Sequence, residues 1–165
     1  MIKAFKYILL AYFLLHVNIN IFQVDLLPSW LAYLLFLESV QLLDKEEKSI
    51  HLLKPLLKIL IVLSFTTWIY NFLQLNILLI FQIAVNVINL YFHFQFLTNL
   101  ASIFEKYQFS STSLLRLRTA QTLYCTLLSL PLHWNVLMGI LGLVIVAWIS
   151  IILKQFQIHL KSLLS

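Results

Sequence analysis

This chain lacks most of what a soluble enzyme is built from. Of its 165 residues only 10% are charged, three are proline, two are glycine and one is cysteine. Soluble domains carry about 25% charged residues, so there is too little charge here to cover a surface that faces water. The single cysteine, Cys125, excludes an intramolecular disulfide. The two glycines, Gly139 and Gly142, cannot build a glycine-rich phosphate loop. Nor is a nucleophile elbow, a zinc-binding His-Glu-x-x-His or a pair of neighbouring carboxylates present. We therefore expect no enzyme, with no catalytic residue, cofactor or metal centre.

What the chain has in excess is apolar surface. Its residues are 62% hydrophobic and 15% aromatic, with mean hydropathy +0.95. A domain of this length has too much surface for its volume to hide that apolar content from water. The expected fold class is all-α, a single polytopic bundle of transmembrane helices with the lipid bilayer as its solvent. The formal charge of +5 does not point to nucleic acid. Basic residues of a nucleic-acid binder gather on one face of a soluble fold, whereas these sit at the ends of apolar runs.

A bilayer core of about 30 Å needs roughly 20 apolar helical residues to cross it. Six segments approach that, at about 4–22, 26–43, 55–73, 76–98, 114–130 and 135–153. The second is the least apolar, because it holds Glu38 and Gln41. The start, Met1 to Lys6 followed by an apolar run, looks like a signal peptide; without a small-x-small cleavage site it reads as an uncleaved first helix. Pro28, Pro55 and Pro131 fall at or beside expected helix ends, where a missing N–H is tolerated.

All 11 lysines and arginines fall on one side of a six-helix topology: Lys3 and Lys6, then Lys45, Lys48, Lys54 and Lys58, then Lys106, Arg116 and Arg118, then Lys154 and Lys161. The positive-inside rule makes that side, and both termini, cytoplasmic. Trp30, Trp68, Tyr70 and Trp134 would form an interfacial belt on the outer side, with Trp148 apart from it. The charged stretch from Asp44 to Lys54 reads as a solvated connection. The stretch from Leu100 to Tyr107 can extend the fourth helix past the membrane; Leu100, Ile103, Phe104 and Tyr107 recur at helical spacing, which suits a stretch lying along the interface. Ser110 to Ser113 break that helix and offer a cap for the next.

A few polar residues lie at membrane depth. Gln82, Asn86, Asn89 and His93 recur at intervals of four, three and four, which puts them on one face of the fourth helix. An unpaired amide in hydrocarbon costs several kcal/mol, so that face must meet neighbouring helices or a wet cavity. Two readings stand: hydrogen bonds between helices, which is the better supported, or the lining of a path for a substrate or ion. Gln121, Cys125 and Ser129 form a matching face on the fifth helix, with Arg118 snorkelling to the interface. Cys125 is expected to be a packing residue. Glu38, one turn inside the cytoplasmic end of the second helix, completes the candidate polar site; it pairs with Lys58 or Arg118, binds a proton or cation, or simply reaches the interface. His16, Asn18, Asn20 and Asp25 are candidates for an outer polar vestibule. On a helix they spread over more than one face; on an extended exit from the membrane they share one. His51, His133 and His159 read as interface residues.

The run Asn18-Ile19-Asn20-Ile21-Phe22-Gln23-Val24-Asp25-Leu26-Leu27-Pro28-Ser29-Trp30-Leu31-Ala32-Tyr33 resembles a segment of a family of small uncharacterised membrane proteins of Gram-positive bacteria. Those proteins carry an Asp-x-Leu-Pro segment, then a tyrosine and a second helix. Asp25, Leu27, Pro28 and Tyr33 match, while Ser29 stands where an acid is expected and Ala32 where a glycine is. The resemblance covers a short stretch of the first third. It implies a bacterial inner membrane and brings no activity. The expected role is that of a non-enzymatic accessory or scaffold subunit, with a membrane protein or a second copy as partner. The alternative is a small transporter or a substrate-binding permease component with a polar path along helix four.

Overall fold

The computed structural model describes residues 1–17, 20–21, 24–25, 28–73, 79–129 and 135–164. It is a helical bundle. Six α-helices run in chain order: α1 Ile2–His16, α2 Ser29–Leu43, α3 Leu53–Phe72, α4 Leu79–Lys106, α5 Thr112–Leu128 and α6 Asn135–Leu164. A short 3-10 turn, Lys48–Leu52, leads into α3. Each helix packs on the next, and α6 returns to α1, so the six close into a ring.

Among the described residues three stretches are long and apolar enough to cross a membrane, Lys48–Phe72, Ile80–Lys106 and Val136–Leu163. Six were expected. The shortfall is one of length: α1 and α2 have 15 residues each and α5 has 17. At 1.5 Å per residue, 15 residues reach only ~22 Å. The first helix, expected through residue 22, stops at His16, and Val17 is extended at φ −98°, ψ 96°. Beyond it Asn20–Ile21 pairs antiparallel with Val24–Asp25, Asn20 opposite Asp25. From Val17 to Ile21 apolar β-branched residues alternate with asparagines, a two-residue period that favours extended backbone over helix. The second helix starts at Ser29, directly after Pro28, rather than near residue 26. Pro55 lies in the first turn of α3; Pro131, His133 and Trp134 lie outside the described residues, as does Asn18.

Helix α4 continues past residue 98 to Lys106, the extension expected of the stretch after Leu100, and α6 overruns its expected end at residue 153 to reach Leu164. The reason is packing. Leu100, Ile103 and Phe104 are fully buried, so this part of α4 joins the core instead of lying flat on an interface. Phe104 stacks on Phe156 of α6 with ring centres 4.0 Å apart, and Phe5 of α1 meets Phe156 edge-on at 5.6 Å. These three aromatics clamp the first, fourth and sixth helices together at one end. A second cluster fills the middle, where Phe36 of α2 contacts Tyr12, Phe92, His93 and Phe96. Trp30 meets Phe65 edge-on, and Phe65, Trp68 and Phe72 stack along α3. Trp148 is half-buried and packs against the core.

Helix α4 ends on Gln108, whose φ of +55° is left-handed. The Phe109 N–H donates to the Phe104 carbonyl and the Gln108 N–H to the Glu105 carbonyl, both at 2.9 Å. Phe109 packs on Phe104. Together these make a Schellman closure with its hydrophobic contact, with glutamine in the place glycine usually takes. Side chains pay a steric cost in that region that glycine avoids. Gln108→Gly is therefore expected to stabilise the fold, by up to ~1 kcal/mol, and denaturant titration of both variants checks it. The serines beyond do not cap α5 as expected. Ser111 sits at the N-cap, but its hydroxyl donates to Glu105 at 2.6 Å.

Candidate functional site

The polar residues of α4 divide along their common face. His93 is buried, with Nδ1 3.3 Å from the Tyr12 hydroxyl and its ring against Phe36 and Phe92. One turn away, Asn89 accepts a hydrogen bond from the Tyr33 hydroxyl at 2.8 Å. Asn86 is half-buried and Gln82 is exposed. The face thus emerges from the core as α4 runs back towards its start. Two of its four groups are tied to α1 and α2, which sequence spacing could orient but not partner.

The fifth-helix face finds its partner elsewhere. Gln121 and Cys125 are buried, and Gln121 joins Cys125 to His16 of α1. His16 is itself only 6% exposed, so it belongs to the interior and not to an outer vestibule. The missed signal is its spacing: Ile8, Tyr12 and His16 continue one buried stripe of α1 at intervals of four.

His16 Nδ1 lies 2.9 Å from the Tyr12 carbonyl, and Nε2 lies 3.2 Å from Gln121 Oε1. Gln121 Nε2 donates to Cys125 Sγ at 3.5 Å. A carbonyl only accepts, so Nδ1 carries a proton. In the amide orientation just given, Nε2 must carry one too, which would place a cation among apolar side chains. Turning the amide over removes that cost: its NH2 then donates to Nε2, and its oxygen accepts from the Cys125 thiol. Either way Tyr12, His16, Gln121 and Cys125 form one chain of contacts across α1 and α5, which His93 joins through Tyr12. Gly142 makes room for it. A Cβ there would stand 3.2 Å from both His16 Cβ and the Tyr124 hydroxyl, so a side chain at this position would need these neighbours to give by a few tenths of an ångström.

Glu38 does not join these groups. It is exposed on α2 beside Leu34 and Gln41, on the face away from Tyr33 and Phe36, and no ion pair links it to Lys58 or Arg118. Arg118 does not snorkel free. Its Nη1 donates to Thr98 at 3.0 Å and its guanidinium lies 4.5 Å over the Phe94 ring, tying α5 to α4. Of the outer candidates, Asn20 and Asp25 face one another across the short strand pair.

The charged loop after α2 is more structured than a solvated connection. Lys54 Nζ lies 2.6 Å from Asp44 and His51 lies 3.2 Å from it; their hydrogen bonds hold the Asp44 carboxyl below its ordinary range. Burial pushes Glu46 up, but hydrogen bonds from Tyr107 and Lys106 outweigh this and lower it overall. Ser49, anchored by Glu47, donates to Asn99 of α4. His159 is no idle interface residue, since its Nε2 donates to the Tyr107 carbonyl at 3.0 Å. Among the described residues no three His, Cys, Asp or Glu side chains come together as a metal site. Comparison with protein-family models, with curated proteins and with solved structures gives no match to this chain.

Proposed function

We propose that this chain is a multi-pass integral membrane protein, with all six helices in the bilayer and both termini cytoplasmic, acting as a non-enzymatic accessory or scaffold subunit. One observation carries the reading. The buried polar groups His16, Gln121, Cys125 and His93, and the half-buried Asn89, close on partners within the chain, while large apolar side chains point outward. Ile80, Val87, Val136 and Ile140 are 81%, 62%, 79% and 55% exposed. Such faces suit lipid or another helix far better than water. The short helices reach less far than the long ones, and the strand pair between α1 and α2 adds length to that hairpin. Both termini lie at one end of the bundle, where Met1, Lys3 and Lys161 line one cleft.

A photo-crosslinker placed at Val87 or Ile140 in intact membranes is expected to give a discrete protein adduct, and one at buried Phe96 none. Adducts to lipid alone from every exposed position would end the scaffold reading. Topology is checked separately, in a Cys125→Ala background, by a cysteine placed at Lys48 or Lys106. Labelling of either from outside intact cells would reverse the orientation. The second reading, a transporter or permease component, draws on Gln82 and Asn86, which have no partner among the described residues. It requires Asn86→Leu to abolish ligand uptake while the protein still inserts.

A further inference from the structure

At the end of the bundle where the two termini meet, the first turn of α1 and the last turns of α6 border a cleft of about 480 Å³. Its floor is apolar, made by Ile2, Leu160 and Leu163, and Lys3 and Lys161 stand on its rim. Tyr107 forms the remaining wall, and that wall is built rather than incidental. The Tyr107 hydroxyl donates to Glu46 at 2.8 Å and its carbonyl accepts from His159 at 3.0 Å. Glu46, held by that hydroxyl, is paired with Lys106 at 3.1 Å and also acts electrostatically on the N-terminal ammonium. Among the described residues Lys3 and Lys161 have no acidic partner; Lys3 lies over the Tyr7 ring, at 5.7 Å. Two uncompensated cations above an apolar trough, on two helices that end together, match a ligand with an anionic head and a hydrocarbon tail.

We propose that this cleft binds one anionic phospholipid, its phosphate between Lys3 and Lys161 and an acyl chain along Ile2, Leu160 and Leu163. The inference rests on the membrane placement proposed above, which sets this end at headgroup depth. Basic pockets between helices on the cytoplasmic side hold acidic headgroups in this way, and the volume is within the range of small-ligand sites. The lysine stems cover the apolar floor while their ammonium groups meet the phosphate.

The test is retention of phosphatidylglycerol against phosphatidylcholine by the full chain, purified in neutral detergent and read by native mass spectrometry. The wild type is expected to keep one phosphatidylglycerol selectively. Lys3→Gln with Lys161→Gln is expected to weaken that retention by about tenfold or more. Lys45→Gln with Lys154→Gln removes the same charge from the same end but outside the cleft, and should leave retention unchanged. Equal loss in both pairs, equal retention of phosphatidylcholine, or displacement by soluble glycerol phosphate as effective as by lipid would each overturn the site. Alkaline carbonate washing is run in parallel. A wild type released by it would refute the membrane placement itself, whereas a retained protein without lipid selectivity would refute only the cleft.

Discussion

Phe36→Ala is expected to lower the stability of the bundle by about 2–3 kcal/mol, more than any other single truncation in α2. Phe36 is fully buried and touches Tyr12 of α1 and Phe92, His93 and Phe96 of α4. Truncating a buried phenylalanine in water costs roughly 3–5 kcal/mol, part of it transfer to water and part the cavity left behind. A helix that unfolds within lipid never exposes the ring to water, so the transfer part largely drops out. The cavity part stays, because four rings lose their neighbour at once. Leu34→Ala, on the exposed face of the same helix, should change stability by less than about 0.5 kcal/mol. Unfolding both variants by denaturing detergent, against the wild type, checks the pair. Equal effects would mean that the aromatic cluster is not the core.

The second large effect lies in the His16–Gln121 contact. His16→Leu and Gln121→Leu are each expected to cost about 1–3 kcal/mol, because each strands a buried polar partner. The double variant should cost clearly less than the sum. With both groups apolar, nothing is left unsatisfied, and only the net worth of the interaction is lost, on average about 0.6 kcal/mol between membrane helices. Strict additivity in the double-mutant cycle would show that the two side chains do not act together. A cycle pairing Gln121 with His93, which meet no common atom, should be additive within about 0.5 kcal/mol.

How much of this was legible before the structure varies with the kind of evidence. The spacing of Gln82, Asn86, Asn89 and His93 did place them on one helical face, and the positions of Pro28 and Pro55 did mark helix starts. The partners were not legible. Nothing local in the chain tells Asn89 to meet Tyr33, or His93 to meet Tyr12, across 56 and 81 residues. Glu38 looked informative as a charge at depth, but the side of α2 it occupies depends on which stripe the neighbours bury. His16 was misplaced because three polar residues close by suggested an exit, when the stripe it shares with Tyr12 was the better guide. Helix α1 ends short of residue 22 because the two-residue alternation after Val17 favours extended backbone whatever the apolar content.

By itself the sequence determined the apolar character of the helices, their number and their order. Those follow from composition and from periods of a few residues, which depend on the local chain alone. Only the tertiary structure decided where α1 stops, how far α4 and α6 continue, and which polar groups answer one another. A helix continues past its apolar run when another helix stands ready to bury it, as α6 does for Phe104 and α4 for Phe156. Such reciprocity between distant segments is a property of their packing, absent from either segment alone.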